Sequence, residues 1–535
     1  MFRKNSNHNQ QSIMESTRWM DPRIRAKLEE SWAPIFYRDV FCQIDEAPFA
    51  VLYGKTGNPN FPVNILLSLE YIKHIRQCND EELLDAFYFD YQVNYALGIR
   101  TLGEMNLAKR TLYYFRAKVY EYCVENPDKE SVLFEPFLNL LDHFSKEANI
   151  SLDEQRTDTT MFMSNIKKGG RISLAYDVLV SAAKAIPEEH LTEALAGALK
   201  PEFRTHILYR AKAEDADSRL GILLNLCQEA LKILETMPDW LVAETVRITK
   251  RFLTEQSVPE PETGKLAPRP HKDIPSGSLQ SAFDEDATYR KKGNIGQSGY
   301  VMEISETCGR GNPFQLITDC AVRPNNANDA DILAERMETI QKNTGCKDMY
   351  VDGAFHSEDL SKAAEEAGIT IHLTNMSGTE PTKKLAATAF DIDGDTNAIL
   401  RCPAGHVPTR TGVTKGQTTA HFKHEDCAGC EFLEKCHSKK QVKDRVVRID
   451  LKAVNASRER DAMKANQKEN TSMRAGIEGS NSAMKRKGLK KLAVRGMPKC
   501  NVVGVLKATV QNIKRFIKWM RGGYKQTPAV VPMMA

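Results

Sequence analysis

The stretch from Gly299 to Leu373 most constrains what this chain can fold into. Tyr300 to Thr307 and Phe314 to Val322 carry β-forming residues and are joined by Cys308-Gly-Arg-Gly-Asn312, a glycine-rich hairpin turn. A helix is predicted from about Asp329 to Asn343, then a short strand from Met349 to Asp352, a helix from Glu358 to Ala367 and a strand from Ile369 to Leu373. A hairpin followed by alternating strands and helices calls for a mixed sheet with helices packed on it, so the fold class is α/β. Asp352 falls where its strand ends, the place where ligands and catalytic groups gather in an open α/β sheet.

The rest of the 535 residues is largely helical in pattern, and the length suits three or four structural units. After a polar tail (residues 1–15), residues 16–145 read as a helical N-terminal domain. Ile65, Leu66, Leu69, Ile72 and Ile75 recur at helical spacing, as do Leu83, Leu84 and Phe87. The break at Gln77 to Asp80, with Asn79 or Asp80 able to cap the next helix, gives a helix-turn-helix-like arrangement. Ile150 to Ser164 is extended and contains Asp158, and a helical insertion covers 175–255. Residues 258–275 hold five of the 23 prolines and read as a linker. Residues 146–380 and 440–520 are taken as the core domain, 381–439 as an inserted cysteine-bearing segment and 521–535 as a C-terminal tail.

Charge separates the C-terminal fifth from the remainder. From His437 to Ala535 there are 24 Lys and Arg against 6 Asp and Glu, a net of +18, whereas the other 436 residues carry 50 against 64, a net of -14. Such asymmetry points to a polyanion, and nucleic acid is the expected partner. No apolar run approaches the ~18 residues of a spanning helix, and the start of the chain has no apolar signal stretch. The expectation is a cytoplasmic protein with no membrane partner.

Cytosolic thiols stay reduced, so the 12 cysteines are not expected to form a disulfide framework. Eight are scattered, and four cluster: Cys402, then Cys427, Cys430 and Cys436. Four thiolates match the tetrahedral demand of one structural Zn²⁺, with His406, His424 or His437 able to replace a ligand. The intervening stretch, rich in Thr, Lys and Gly, looks too polar to build a core of its own, so a zinc knuckle closed by metal is expected.

Helical propensity returns from Ser457 to about Lys491. At ~100° per residue, Arg474, Glu478, Asn481 and Lys485 share one face of such a helix. Gly476 and Gly479, each unfavourable by ~1 kcal/mol relative to Ala in a helix, suggest close approach by another backbone.

Four stretches then resemble one family, the DDE transposases of bacterial insertion sequences. They are Arg156-Thr-Asp-Thr-Thr160 with Ser164-Asn-Ile166, Asp284 to Gly293 before the hairpin, Tyr350-Val-Asp-Gly-Ala-Phe-His-Ser357, and Arg474, Glu478 and Lys485 at their spacing. The resemblance extends from about Phe49 to Met520; a Tyr frequent three residues before the Arg is replaced by Thr471. It implies an RNase H-like catalytic core with a helical N-terminal DNA-binding domain, and Asp158, Asp352 and Glu478 as the catalytic triad. Hydrolysis of a phosphodiester by such a triad uses two Mg²⁺ (or Mn²⁺), because hard cations take carboxylate oxygens. Asp153, Asp177, Asp284 and Asp286 are rival acids, read as surface or capping residues.

The implied function is an insertion-sequence transposase that binds terminal inverted repeats, cleaves DNA and transfers the 3′-OH to target DNA. It would act as a homodimer on double-stranded DNA, in the bacterial cytoplasm and on the nucleoid. Arg474, Lys485, Arg486, Lys487, Lys490 and Lys491 are the expected DNA contacts. A hydrolytic nuclease without strand transfer and a non-catalytic DNA-binding repressor are the alternatives; the presence of all three carboxylates speaks against the repressor.

Overall fold

The structure, a computed structural model, describes residues 1–9, 15–209, 213–262, 264–375 and 383–523. Part of the polar tail (10–14), the expected boundary at 380/381 and the C-terminal tail from residue 524 lie outside the described residues. Two compact units emerge: residues 1–346 with 477–535, and residues 347–476.

The first unit begins with helices. α1 (Val63–Arg76) ends at Gln77, whose φ of 57° turns the chain, and α2 (Asp80–Phe89) starts under a capping box in which Asn79 accepts from the Glu82 amide and Glu82 reaches back to the Asn79 amide. The cap anticipated at Asn79 is thus present. α3 (Lys109–Glu125) and α4 (Phe134–Glu147) follow and lead to β1 (Glu154–Phe162).

α5 (Arg171–Lys184), α6 (Ala216–Leu234) and α7 (Asp239–Gln256) form the helical insertion, with a core of its own around Leu179, Leu223, Leu224 and Phe252. The proline-bearing segment is not a free linker. Residues 257–259 and 266–268 pair as a short antiparallel ribbon, and the Asn225 amide of α6 clamps it, donating to Leu266 O at 3.0 Å and accepting from Leu266 N at 3.1 Å.

β2 (Thr288–Lys292), β3 (Ile295–Thr307) and β4 (Ile317–Pro324) pair antiparallel in turn, and β1 pairs antiparallel with β3. The expected hairpin is β3–β4; β2 is an additional strand joined to β3 through Gly293 (φ 59°) and Asn294, a turn pair that favours a tight hairpin. α8 (Asp329–Thr344) covers one face of this sheet, with Ile332 packed on Val301 and Ala321.

The second unit opens with β5 (Asp348–Val351), α9 (Glu358–Ala367) and β6 (Thr370–Leu373), a parallel strand pair linked by its helix. A four-stranded antiparallel sheet follows: β7 (Arg410–Thr414), β8 (Gln417–Phe422), β9 (Ser438–Lys440) and β10 (Arg445–Asp450), in the order β7-β8-β10-β9. It carries a core of Phe390, Ile399, Ala420, Phe422, Val447, Ile449 and Val454, so this segment does build apolar packing, contrary to the sequence expectation. The inward residues alternate along β8 and β10, which is how a polar-looking stretch conceals a core. α10 (Leu451–Arg474) closes the unit, tied to β6 by the Asn470 amide on Leu373 O at 2.9 Å.

The chain then returns to the first unit with α11 (Ile477–Met484) and α12 (Met497–Met520). α12 is buried along most of its length, and Phe516 stacks on Phe144 of α4 with centroids 4.3 Å apart. One continuous core therefore joins the N-terminal helices, the sheet and α12. The fold is mixed α/β, with antiparallel strands in the first unit and a parallel pair in the second.

Candidate active site

Asp158 lies mid-strand on β1, opposite Ile304 of β3. Alternation places it on the same face as Arg156, whose cross-strand partner is Glu306. Glu306 is completely buried, and a carboxylate there requires partners. Arg156 donates to its Oε1 through Nε (2.9 Å) and Nη2 (2.6 Å), Ser480 donates to Oε2 at 2.6 Å, and Arg515 Nη1 donates to Oε2 at 3.0 Å. The network ties β1, β3, α11 and α12 together.

α11 is amphipathic: Ile477, Ser480, Asn481 and Met484 are buried, and Glu478 and Gly479 are exposed. Asn481 Nδ2 donates to Asp158 Oδ2 at 3.0 Å. Glu478 stands three residues before Asn481, so the helix held against Asp158 also carries the second acid of this unit. Gly479 does not mark close packing, since a Cβ there would meet nothing within 4 Å. At Gly479 the expected approach of another backbone is therefore absent.

Asp352 belongs to the second unit. It follows β5 directly, as expected, and its side chain accepts from Ala354 N at 2.8 Å, capping a single 3₁₀ turn. Gly353 is required: a Cβ would come within 2.6 Å of Asn375 Oδ1. Arg474 Nη2 lies 3.4 Å from Asp352 Oδ2. Arg474 ends α10, and the chain breaks at Ala475 and Gly476 before α11, so it does not share one helix face with Glu478, Asn481 and Lys485. The helix read as continuous from Ser457 to Lys491 begins at Leu451 and is interrupted twice; the second break, at Gly488 (φ 87°), needs the left-handed conformation that glycine permits.

That second break redistributes the basic residues. Arg486 is exposed and donates to Ser482 Oγ at 2.9 Å. Lys487 turns inward, its Nζ donating to Gln511 Oε1 of α12 at 2.8 Å. Burial, and then the neighbouring Lys514, Arg515 and Arg486, push its ammonium down to about 8. Lys490 and Lys491 are exposed where the chain leaves the turn; Lys490 O accepts from Met163 N at 3.2 Å, and Lys491 bridges to Met163 beyond the end of β1. Lys485 is half-buried at the start of the irregular turn. Lys507 of α12, not singled out by the sequence, is buried; its Nζ donates to Lys487 O at 2.7 Å, and burial lowers it to about 8.

Three of the four rival acids take structural roles, and Asp284 is buried rather than at the surface. Asp284 accepts from both Tyr300 and Ser164, Asp177 pairs with Lys167 at 2.7 Å, and Asp286 caps α12 through Met497 N at 2.9 Å.

All four clustered cysteines line one small cavity of about 20 Å³ in the second unit, together with His406 and Asp426. Cys402 and His406 are joined by a tight turn, Cys402 N donating to His406 O at 3.0 Å. His437 is engaged elsewhere, on Leu385 O at 2.8 Å. Burial, with the adjacent thiols of Cys436, Cys402 and Cys430 adding to it, raises the Cys427 thiol above its ordinary value, while Arg445 works against the shift. Four cysteines around one void are the residue types that a structural Zn²⁺ takes, and Phe422, Phe432, Leu433 and Val447 line the same void. Among the described residues, however, no three His, Cys, Asp or Glu side chains already stand as a ligand set, at the cysteines or at the carboxylates.

Residues 401–517 match a family model described as Transposase DDE domain, and the match supports a DDE transposase. The matched region holds the cysteines, Glu478 and the basic segment, and neither Asp158 nor Asp352. No curated protein and no solved structure matches the chain.

Proposed function

We propose, taking a DDE transposase as the premise, that the chain moves a bacterial insertion sequence: it binds the terminal inverted repeats, cleaves at them and joins the 3′-OH ends to target DNA. The observation that carries this reading is the Asn481 to Asp158 bond, which sets one motif acid beneath the helix bearing another. Asp352 enters on its sequence context and its position at a strand end. The core is proposed to be RNase H-like.

Asp158, Asp352 and Glu478 would hold the two Mg²⁺ (or Mn²⁺). When bound, such metals activate the attacking water or 3′-OH and stabilise the leaving oxygen. The chain's own contribution is orientation. Asn481 fixes the Asp158 carboxylate, Arg474 offsets charge at Asp352, and the open space at Gly479 admits a sugar-phosphate backbone beside Glu478. Arg486, Lys490 and Lys491 bind phosphates from the exposed side. Cys402, Cys427, Cys430 and Cys436 would take one structural Zn²⁺ and brace the small sheet. The working form would be a homodimer on double-stranded DNA, acting in the cytoplasm at the nucleoid.

The test uses DNA flanking the gene. Incubation of purified protein with Mg²⁺ and an inverted-repeat end should yield a nicked or cut end and then joined products. Glu478→Gln and Asp352→Asn should bind that DNA and cut none of it. Cutting without joining would favour the nuclease, and full cutting by Asp352→Asn would remove the triad.

A further inference from the structure

The first unit contains a groove of about 900 Å³ in its helical N-terminal region, none of whose lining residues belongs to the acid site described above. Tyr53 and Phe61 line it together with Arg110, Tyr114 and Lys118 of α3. Their spacing of four residues puts cation, ring and cation in one stripe, extending about 12 Å along the helix at 1.5 Å per residue.

The parts of the groove are held in place. The Tyr53 ring is backed by Phe2, with centroids 6.1 Å apart. Lys118 Nζ donates to Leu52 O at 2.7 Å and lies 4.8 Å from the Tyr114 centroid and 5.6 Å from that of Tyr53. Tyr114 is 59% exposed, so its ring is open to a ligand. Among the described residues no carboxylate lines the groove. Glu46, the acid whose charge reaches Tyr53, already accepts from Val63 N at 2.8 Å and Asn5 N at 2.7 Å.

A concave surface that alternates aromatic faces with cations and excludes acids suits a ligand that alternates flat bases with phosphates. Duplex DNA hides its base faces within the stack, and only an unpaired strand can lay a base on Tyr114. We propose that this groove binds single-stranded DNA, stacking an unpaired base on Tyr114 and holding the flanking phosphates with Arg110 and Lys118. The inference shares with the function proposed above only that the ligand is DNA.

The test measures binding of the full chain, without added divalent metal, to a short fluorescein-labelled thymidine oligonucleotide and to a duplex of equal length. Tyr114→Ala should lower single-strand affinity by about 5- to 150-fold, the range for loss of one stacked base, and leave duplex affinity unchanged. Tyr114→Trp should retain the single-strand affinity, and Arg110→Gln should flatten its dependence on salt. Unchanged binding by Tyr114→Ala, equal losses on both DNAs, or a Trp variant as weak as the Ala variant would overturn the proposal. Cleavage does not enter the readout, so this groove and the acid site can fail separately.

Discussion

Asn481 and Asp158, 323 residues apart in the chain, are joined by a hydrogen bond of 3.0 Å between side chains on a helix and a strand. The amide donates to one carboxylate oxygen and fixes the orientation of the group. Asn481→Ala should therefore slow DNA cleavage by roughly ten- to a hundredfold, the range for a hydrogen bond to a charged group, with DNA affinity unchanged. Single-turnover cleavage beside a binding titration checks it; a loss of affinity alone would show that Asn481 contacts DNA instead.

Glu306 is the anchor behind that arrangement. Arg515→Met should leave a buried carboxylate short of a partner and destabilise the protein by about 3 to 5 kcal/mol. Adding Glu306→Gln to that variant should recover part of the loss, since a neutral amide tolerates burial better. Urea midpoints of the two variants decide the matter.

Lys507 links stability to alkaline pH. Its pKa is about 8 in the folded protein against 10.5 when unfolded, so between these values the unfolded chain binds the extra proton. Stability contributed by this group rises with pH through that window and is absent below about pH 8. Lys507→Met should abolish a gain of about 3 kcal/mol between pH 8 and pH 10.5, read as the difference between the two proteins' urea curves.

Exposed and inward-facing lysines should separate by salt. Replacing Lys490 and Lys491 with Gln should flatten the log-affinity against log-salt plot on duplex DNA by about one to two units. Lys487→Gln should leave the slope unchanged, because its Nζ is held by Gln511. A slope lowered by Lys487→Gln would mean that the turn opens on DNA.

Zinc is open to direct measurement. Protein purified without chelator should contain about one zinc per chain, lost on combined Cys427→Ser and Cys430→Ser. Native folding of metal-free protein with an intact sheet over residues 410–450 would make the small apolar core sufficient and the cluster dispensable.

Local pattern determined much of this protein. The Asn79 cap, the hairpin after Gly299, the helix from Glu358 to Ala367 and the placement of Asp352 at a strand end follow from spacing and capping within a dozen residues, and the structure repeats them. Tertiary structure decided the rest. Helical spacing extrapolated through Gly476 and Gly488 joined Arg474 to Glu478 and aimed Lys487 outward, whereas packing breaks the helix at both glycines and turns Lys487 onto Gln511. Thr, Lys and Gly hid a core that appears once β8 and β10 pair. The buried Glu306 has no local signature, because its partners Arg156, Ser480 and Arg515 lie 150 to 209 residues away. Hydrogen bonds and burial act through space, and a charge is made structural or functional by whichever distant groups the fold sets against it.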